Sequence, residues 1–127
     1  VIVDGAHNPD AARLLKYSLS AYFPGEKFIY IIGVFKDKDY EQILRTTLPR
    51  AKRVYTINAP APRGLESEQL AECAAKISDN KIKHIEAKHN VREALSSISR
   101  DGVTGRIVVF GSLSFLHEVY EYFGKGY

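Results

Sequence analysis

Asp4, Gly5, Ala6, His7 and Asn8 put a carboxylate, a backbone position without a Cβ, an imidazole and an amide into one short loop. An aspartate here can accept from ligand hydroxyls or ring nitrogens, or tie down its own turn through backbone hydrogen bonds. His7 stands just ahead of a helix start, where free backbone donors and a favourable dipole would meet an anion. A neutral imidazole can donate there and a protonated one adds charge; the alternative is that His7 bonds a neighbouring carbonyl and orders the turn. Gly5 permits positive φ or a close backbone approach. Pro9 suits the first helical position, with Asn8 as its cap.

Other short polar stretches offer less on their own. Lys36, Asp37, Lys38 and Asp39 follow an apolar run. They read first as a solvated, helix-capping turn, although a lysine at a strand end can pair with a carboxylate or phosphate. The two lysines face different ways, so at most one points into a shared site. Arg63, in a Pro-rich loop, could clamp an anion or simply lie exposed. Gly111 and Ser112 repeat the helix-start pattern, a hydroxyl beside free backbone donors. His84, His89 and His117 show no convergent spacing and are read as surface or packing residues. No His/Asp/Glu set has the spacing of a zinc motif, and GxxxxGK[ST], GxGxxG and a nucleophile elbow are all missing from these 127 residues.

The elements that must hold these loops alternate. Val1 to Val3 read as the end of a buried strand, and residues 9–22 as a helix with Ala11, Ala12, Leu15 and Leu19 on its apolar face. Residues 28–35 form a near-continuous apolar run, as in a strand covered on both faces. Asp39 and Gln42 form a capping box for a helix carrying Tyr40, Ile43, Leu44 and Leu48. Residues 53–58 read as a strand, Ser67 as the cap of a third helix, and residues 81–86 as a short, partly exposed strand. Asn90 with Glu93 starts a fourth helix. Residues 106–111 form a last buried strand, after which Ser112 caps a final helix. The pattern predicts an α/β fold: a Rossmann-like, three-layer domain whose mostly parallel sheet carries helices on both faces. Right-handed crossovers then bring the loops after each strand to one sheet edge.

Composition sets the bounds. A chain of 127 residues with 45% hydrophobic content fits one domain with a substantial core. Eighteen basic against fifteen acidic side chains, scattered along the chain, give a net charge of +3, too mild to argue for nucleic acid. The eight Tyr and six Phe mostly sit in apolar runs that need them for packing. The single cysteine, Cys73, excludes an intrachain disulfide and a multi-cysteine metal site. With no apolar run near the roughly 20 residues that span a bilayer, the expectation is a cytoplasmic protein without membrane contact. A buried strand at residue 1 without a polar leader predicts that the chain is cut from something longer.

DGAHNP after one strand, FKDKD after the next and VFGSLSFLHEV near the end together resemble the carboxy-terminal domain of folylpolyglutamate synthase, including the bifunctional dihydrofolate synthase versions, within the Mur ligase superfamily. The resemblance runs over essentially the whole chain. It implies that residues 1–127 follow an amino-terminal ATPase domain carrying the P-loop and the Mg²⁺ ligands. The reaction it implies is ATP-dependent addition of L-glutamate to a folate through an acyl phosphate. Carried over by resemblance, Asp4, His7 and Asn8 bind the nucleotide, with Asp4 at the ribose or adenine side and His7 catalytic near the phosphates or glutamate. Lys38, Asp39 and Ser112 contact glutamate, and the chain itself holds no metal. The competing readings are a cell-wall amino-acid ligase of the Mur type and a non-catalytic α/β module that binds a small anion.

Overall fold

The computed structural model describes residues 2–59 and 62–111. Five strands, β1 (Ile2–Asp4), β2 (Phe28–Gly33), β3 (Ala51–Thr56), β4 (Ile85–Ala87) and β5 (Ile107–Gly111), alternate with four α-helices. The helices are α1 (Pro9–Tyr22), α2 (Tyr40–Thr47), α3 (Ser67–Ile77) and α4 (Val91–Arg100). The sheet order is β1-β5-β2-β3-β4, and every pairing is parallel.

Chain direction explains the layers. From β1 through β2 and β3 to β4 the chain moves one way across the sheet, so right-handed crossovers put α1, α2 and α3 on one face. The step from β4 back to β5 runs the other way and puts α4 on the opposite face. Strand β2 shows both covers at once. Phe28, Tyr30 and Ile32 pack with Leu15, Leu19, Ile43, Leu44 and Leu70. Ile29 and Ile31, pointing the other way along the pleat, pack with Val91, Ala94, Leu95 and Ile98. All six residues of β2 are therefore buried. The α/β fold with a parallel sheet and helices on both faces is as the sequence predicts.

Boundaries differ where local signals are weak. β3 begins at Ala51, not Arg53, because a 3₁₀ turn over Leu48–Arg50 delivers Ala51 directly opposite Phe28. β2 ends at Gly33, and Phe35 instead makes an isolated antiparallel bridge to Gly64. β4 is confined to Ile85–Ala87. Ser67 is the first residue of α3, not its cap; Glu66 takes the cap position without a side-chain bond. Ser112 and the helix expected after it lie outside the described residues.

Candidate functional site

Because all five strands run parallel, the loops after them share the carboxyl edge of the sheet. Neighbouring strands lie roughly 4.8 Å apart, so the β1 and β2 loops, with β5 between them, are about 10 Å apart. The order across that edge is β1 loop, end of β5, β2 loop, β3 loop, β4 loop. Asp4, His7, Gly111 and Lys36 to Asp39 thus fall within one short span, as the sequence predicts.

In the β1 loop, structural and ligand roles coexist. His7 Nδ1 donates to the Gly5 carbonyl oxygen at 2.7 Å. A carbonyl only accepts, so the proton sits on Nδ1. The neutral ring then offers Nε2 as an acceptor, and it donates from Nε2 only as imidazolium. Asn8 Oδ1 accepts from the Ala11 amide at 2.8 Å and caps α1, which commits that oxygen to the fold. Pro9 has no amide hydrogen, and the Ala11 amide is used by the cap. The Asp10 amide is the remaining first-turn donor, so the anion site of this helix start is narrower than its sequence suggests. The Asp4 carboxylate, half-buried at the end of β1, has no hydrogen bond or ion pair among the described residues.

The β5 end approaches closely. Gly111 lies at φ +115, and a Cβ there would fall inside the Gly33 carbonyl group. The glycine pair at Gly33 and Gly111 lets two strand ends pass without side chains between them, next to the β1 loop.

The β2 and β3 loops are fastened together. The Lys36 amide donates to the Arg63 carbonyl at 2.7 Å, and the Leu65 amide donates to the Val34 carbonyl at 3.0 Å. Arg63 bonds Asp37 at 2.8 Å and lies 4.6 Å from the centre of the Phe35 ring. That hydrogen bond holds the exposed Asp37 carboxyl below its usual range. Arg63 is thereby engaged with Asp37 and Phe35. Asp39 caps α2 through a long 3.3 Å bond from the Gln42 amide. Lys38, half-buried, makes no ion pair among the described residues.

A cavity of about 590 Å³ opens between the β3 and β4 loops, lined by Lys36, Asn58, Gly64, Glu66, Ser67 and His89 among others. It lies where consecutive helices leave for opposite faces of the sheet, the position at which open α/β sheets hold ligands. Sequence reasoning missed Asn58 and His89 here. Asn58 Oδ1 accepts from the Ser67 amide at 2.8 Å and so starts α3 from nine residues away. His89, read as a surface residue, is exposed but paired with Glu93 at 2.9 Å, which lowers the Glu93 pKa. The one usable signal was position, since each stands two residues beyond the end of a strand. Cys73 is half-buried, and burial raises its thiol pKa, as expected of an unreactive cysteine. Among the described residues no cluster of three or more His, Cys, Asp or Glu could hold a metal ion, and no helix is long and apolar enough to cross a membrane.

Known proteins with this arrangement agree in kind. The family model described as Mur ligase, glutamate ligase domain, matches residues 1–113. A dihydrofolate synthase/folylpolyglutamate synthase of Mycobacterium tuberculosis is 30% identical over 96 residues, which are 75% of this chain and 19% of that protein. The crystal structure of folylpolyglutamate synthase from Thermotoga maritima is 35% identical with a TM-score of 0.76, over 94% of this chain and 26% of that one. That of the Mycobacterium tuberculosis folylpolyglutamate synthase complexed with ADP and AMPPCP is 27% identical with a TM-score of 0.79, over 97% and 30%. The chain therefore spans less than a third of each of these relatives. A parallel sheet with its polar loops gathered at one edge, matched over nearly all its length, makes this chain a member of the Mur ligase family, within the glutamate ligase domain.

Proposed function

We propose that this chain is the carboxy-terminal domain of an ATP-dependent ligase that adds L-glutamate to a folate, with a P-loop domain preceding it as partner. The observation that supports the reading most is the β1 loop. There Asp4 and the Nε2 face of His7 have no partner among the described residues, while Gly5 and Asn8 hold the loop in place. In the proposed reaction the substrate carboxylate takes the γ-phosphoryl group of ATP and ADP leaves. The glutamate amine then attacks the acyl carbon, phosphate departs and the amine proton is lost as the amide forms.

For this chain the work is binding and positioning. The Asp4 carboxylate suits the hydroxyls or ring nitrogens of the nucleotide. His7, as imidazolium, and the Asp10 amide offer donors to anionic oxygens, where a pre-oriented donor stabilises developing charge. In Asn8 the side-chain oxygen is spent on the cap, so a nucleotide contact from it falls to the amide nitrogen. In the β2 loop the proposal takes Lys38 as the cation that meets a glutamate carboxylate, with Asp39 and Ser112 as further glutamate contacts. Magnesium would accompany ATP, with its ligands in the proposed preceding domain. Closing two domains over the reactants aligns them and keeps water from the acyl phosphate. The proposed setting is the cytoplasm.

The test is ATP-dependent transfer of labelled glutamate by the chain joined to its upstream region, with a folate and a cell-wall nucleotide precursor as alternative acceptors. Addition to the folate is expected. Addition to the cell-wall precursor alone would replace the folate reading, and no addition to either would favour a non-catalytic anion-binding module. The 127-residue chain by itself is expected to show neither ATP hydrolysis nor ligation, measured by phosphate release and glutamate incorporation.

A further inference from the structure

At the opposite edge of the sheet, below the amino ends of β2, β3 and β4, lies a second cavity of about 410 Å³. Its floor is apolar, from Leu48, Pro49, Ala51, Ile77 and Ile82. Its rim carries three cations from three different segments: Lys27 ahead of β2, Arg45 on α2 and Lys81 after α3. No carboxylate lines it, and none of the three cations makes an ion pair among the described residues.

Helix ends do not account for this charge. The last turns of α2 and α3 point their carbonyls this way, and basic residues are favourable there. Each helix end amounts to about half a negative charge, so the two together offset roughly one of the three cations. The carbonyls are also already served by backbone donors. Leu48 donates to Leu44, Ser78 to Ala74, and Asn80 to Ala75. Positive φ at Asp79 and Asn80 folds that turn back to make the last of these bonds. What remains is a net positive rim over a greasy floor, in the size range of small-molecule sites.

We infer that this basal cavity binds an organic anion with a flat apolar body and at least two carboxylates. The apolar body covers the floor and the carboxylates span the separated cations. The site stands on its own residues and does not depend on the ligase reading. Two sources share that chemistry: a glutamylated folate, which would make the cavity a product-sensing site if the proposed activity holds, and an unrelated aromatic polycarboxylate.

The experiment titrates the 127-residue chain, followed by amide chemical shifts, with pteroyl-tri-γ-glutamate, naphthalene-1,4-dicarboxylate and tri-γ-glutamate. The expected result is saturable binding of one or both aromatic probes, with shifts centred on Ala51, Ile77 and Ile82. Arg45→Glu combined with Lys81→Glu should weaken it at least tenfold, while His7→Ala at the other edge leaves it unchanged. Tighter binding of the pteroyl probe identifies the product as the source; equal or preferred binding of the dicarboxylate identifies the second source. Both substituted side chains are exposed, and an unchanged Tm shows that the variant is folded. The inference is overturned by absence of saturable shifts at millimolar probe, by binding that ignores the charge reversals, or by tri-γ-glutamate binding as tightly as the pteroyl compound.

Discussion

His7 and Asn8 are adjacent, and their side chains separate cleanly by what they touch. Asn8 is engaged by its own helix, so Asn8→Ala should cost about 1 kcal/mol of stability through loss of the cap. That is roughly a 4 °C fall in Tm for a domain of this size, read by thermal unfolding, with Asn8→Asp retaining most of it. His7 keeps Nε2 unpaired among the described residues, so under the proposed reaction its replacement should act on catalysis. In the chain joined to its proposed upstream domain, His7→Ala is expected to lower kcat/KM by about 10- to 100-fold, the equivalent of losing a donor worth about 1–3 kcal/mol to a charged group. Unchanged steady-state kinetics with an intact Tm would remove His7 from the site. The hydrogen bond to Gly5 adds a condition that residue identity alone could not supply: the ring donates outward only when doubly protonated. The sequence left both roles of His7 open, and the geometry accommodates both on different nitrogens.

Elements were legible where their signals are local. The caps of α1, α2 and α4 sit beside the helices they start, and Asn8, Asp39 and Asn90 all accept from the backbone amide three residues on. β2 announced itself by an unbroken apolar run, because both its faces are covered. The start of α3 was not legible, since its first amide is held by Asn58 from the far end of the β3–α3 connection, nine residues back. The Arg63–Asp37 pair, 26 residues apart, and the cavity beside His89 follow from strand order, which no local pattern encodes. Asn58 yields a test at this scale. Asn58→Ala leaves the amide of buried Ser67 without its acceptor and should cost about 1–3 kcal/mol in urea unfolding. Asn58→Asp, which keeps the acceptor, should recover most of that loss.

The molecule as a whole should respond to pH at both extremes. Burial raises the Tyr30 pKa far above its ordinary 10.0, with Arg50 opposing only in part. Unfolded Tyr30 ionises near pH 10 while the folded phenol keeps its proton, so the native state binds more protons and stability falls as pH rises above about 10. One such group gives a slope of about 1.4 kcal/mol per pH unit. Tyr30→Phe should flatten that alkaline limb in denaturation midpoints measured from pH 9 to 11. On the acid side, the depressed pKa values of Asp37 and Glu93 contribute stability above the usual carboxylate range that is lost as pH falls through it. Both groups are exposed, so this limb should be shallow and weaken with salt.

The pairing of β1 with β5 also bears on biosynthesis. Asp4 lies opposite Phe110, more than a hundred residues later in the chain, and among the described residues β1 has no other strand beside it. At roughly 5–20 residues per second, a ribosome leaves the first strand without its neighbour for about 5–20 s. The loop with Asp4 and His7 is thus made well before β5 and is seated only once β5 has followed. A nascent chain cut short before β5 would therefore carry Asp4 and His7 on a strand that still lacks the neighbour it pairs with.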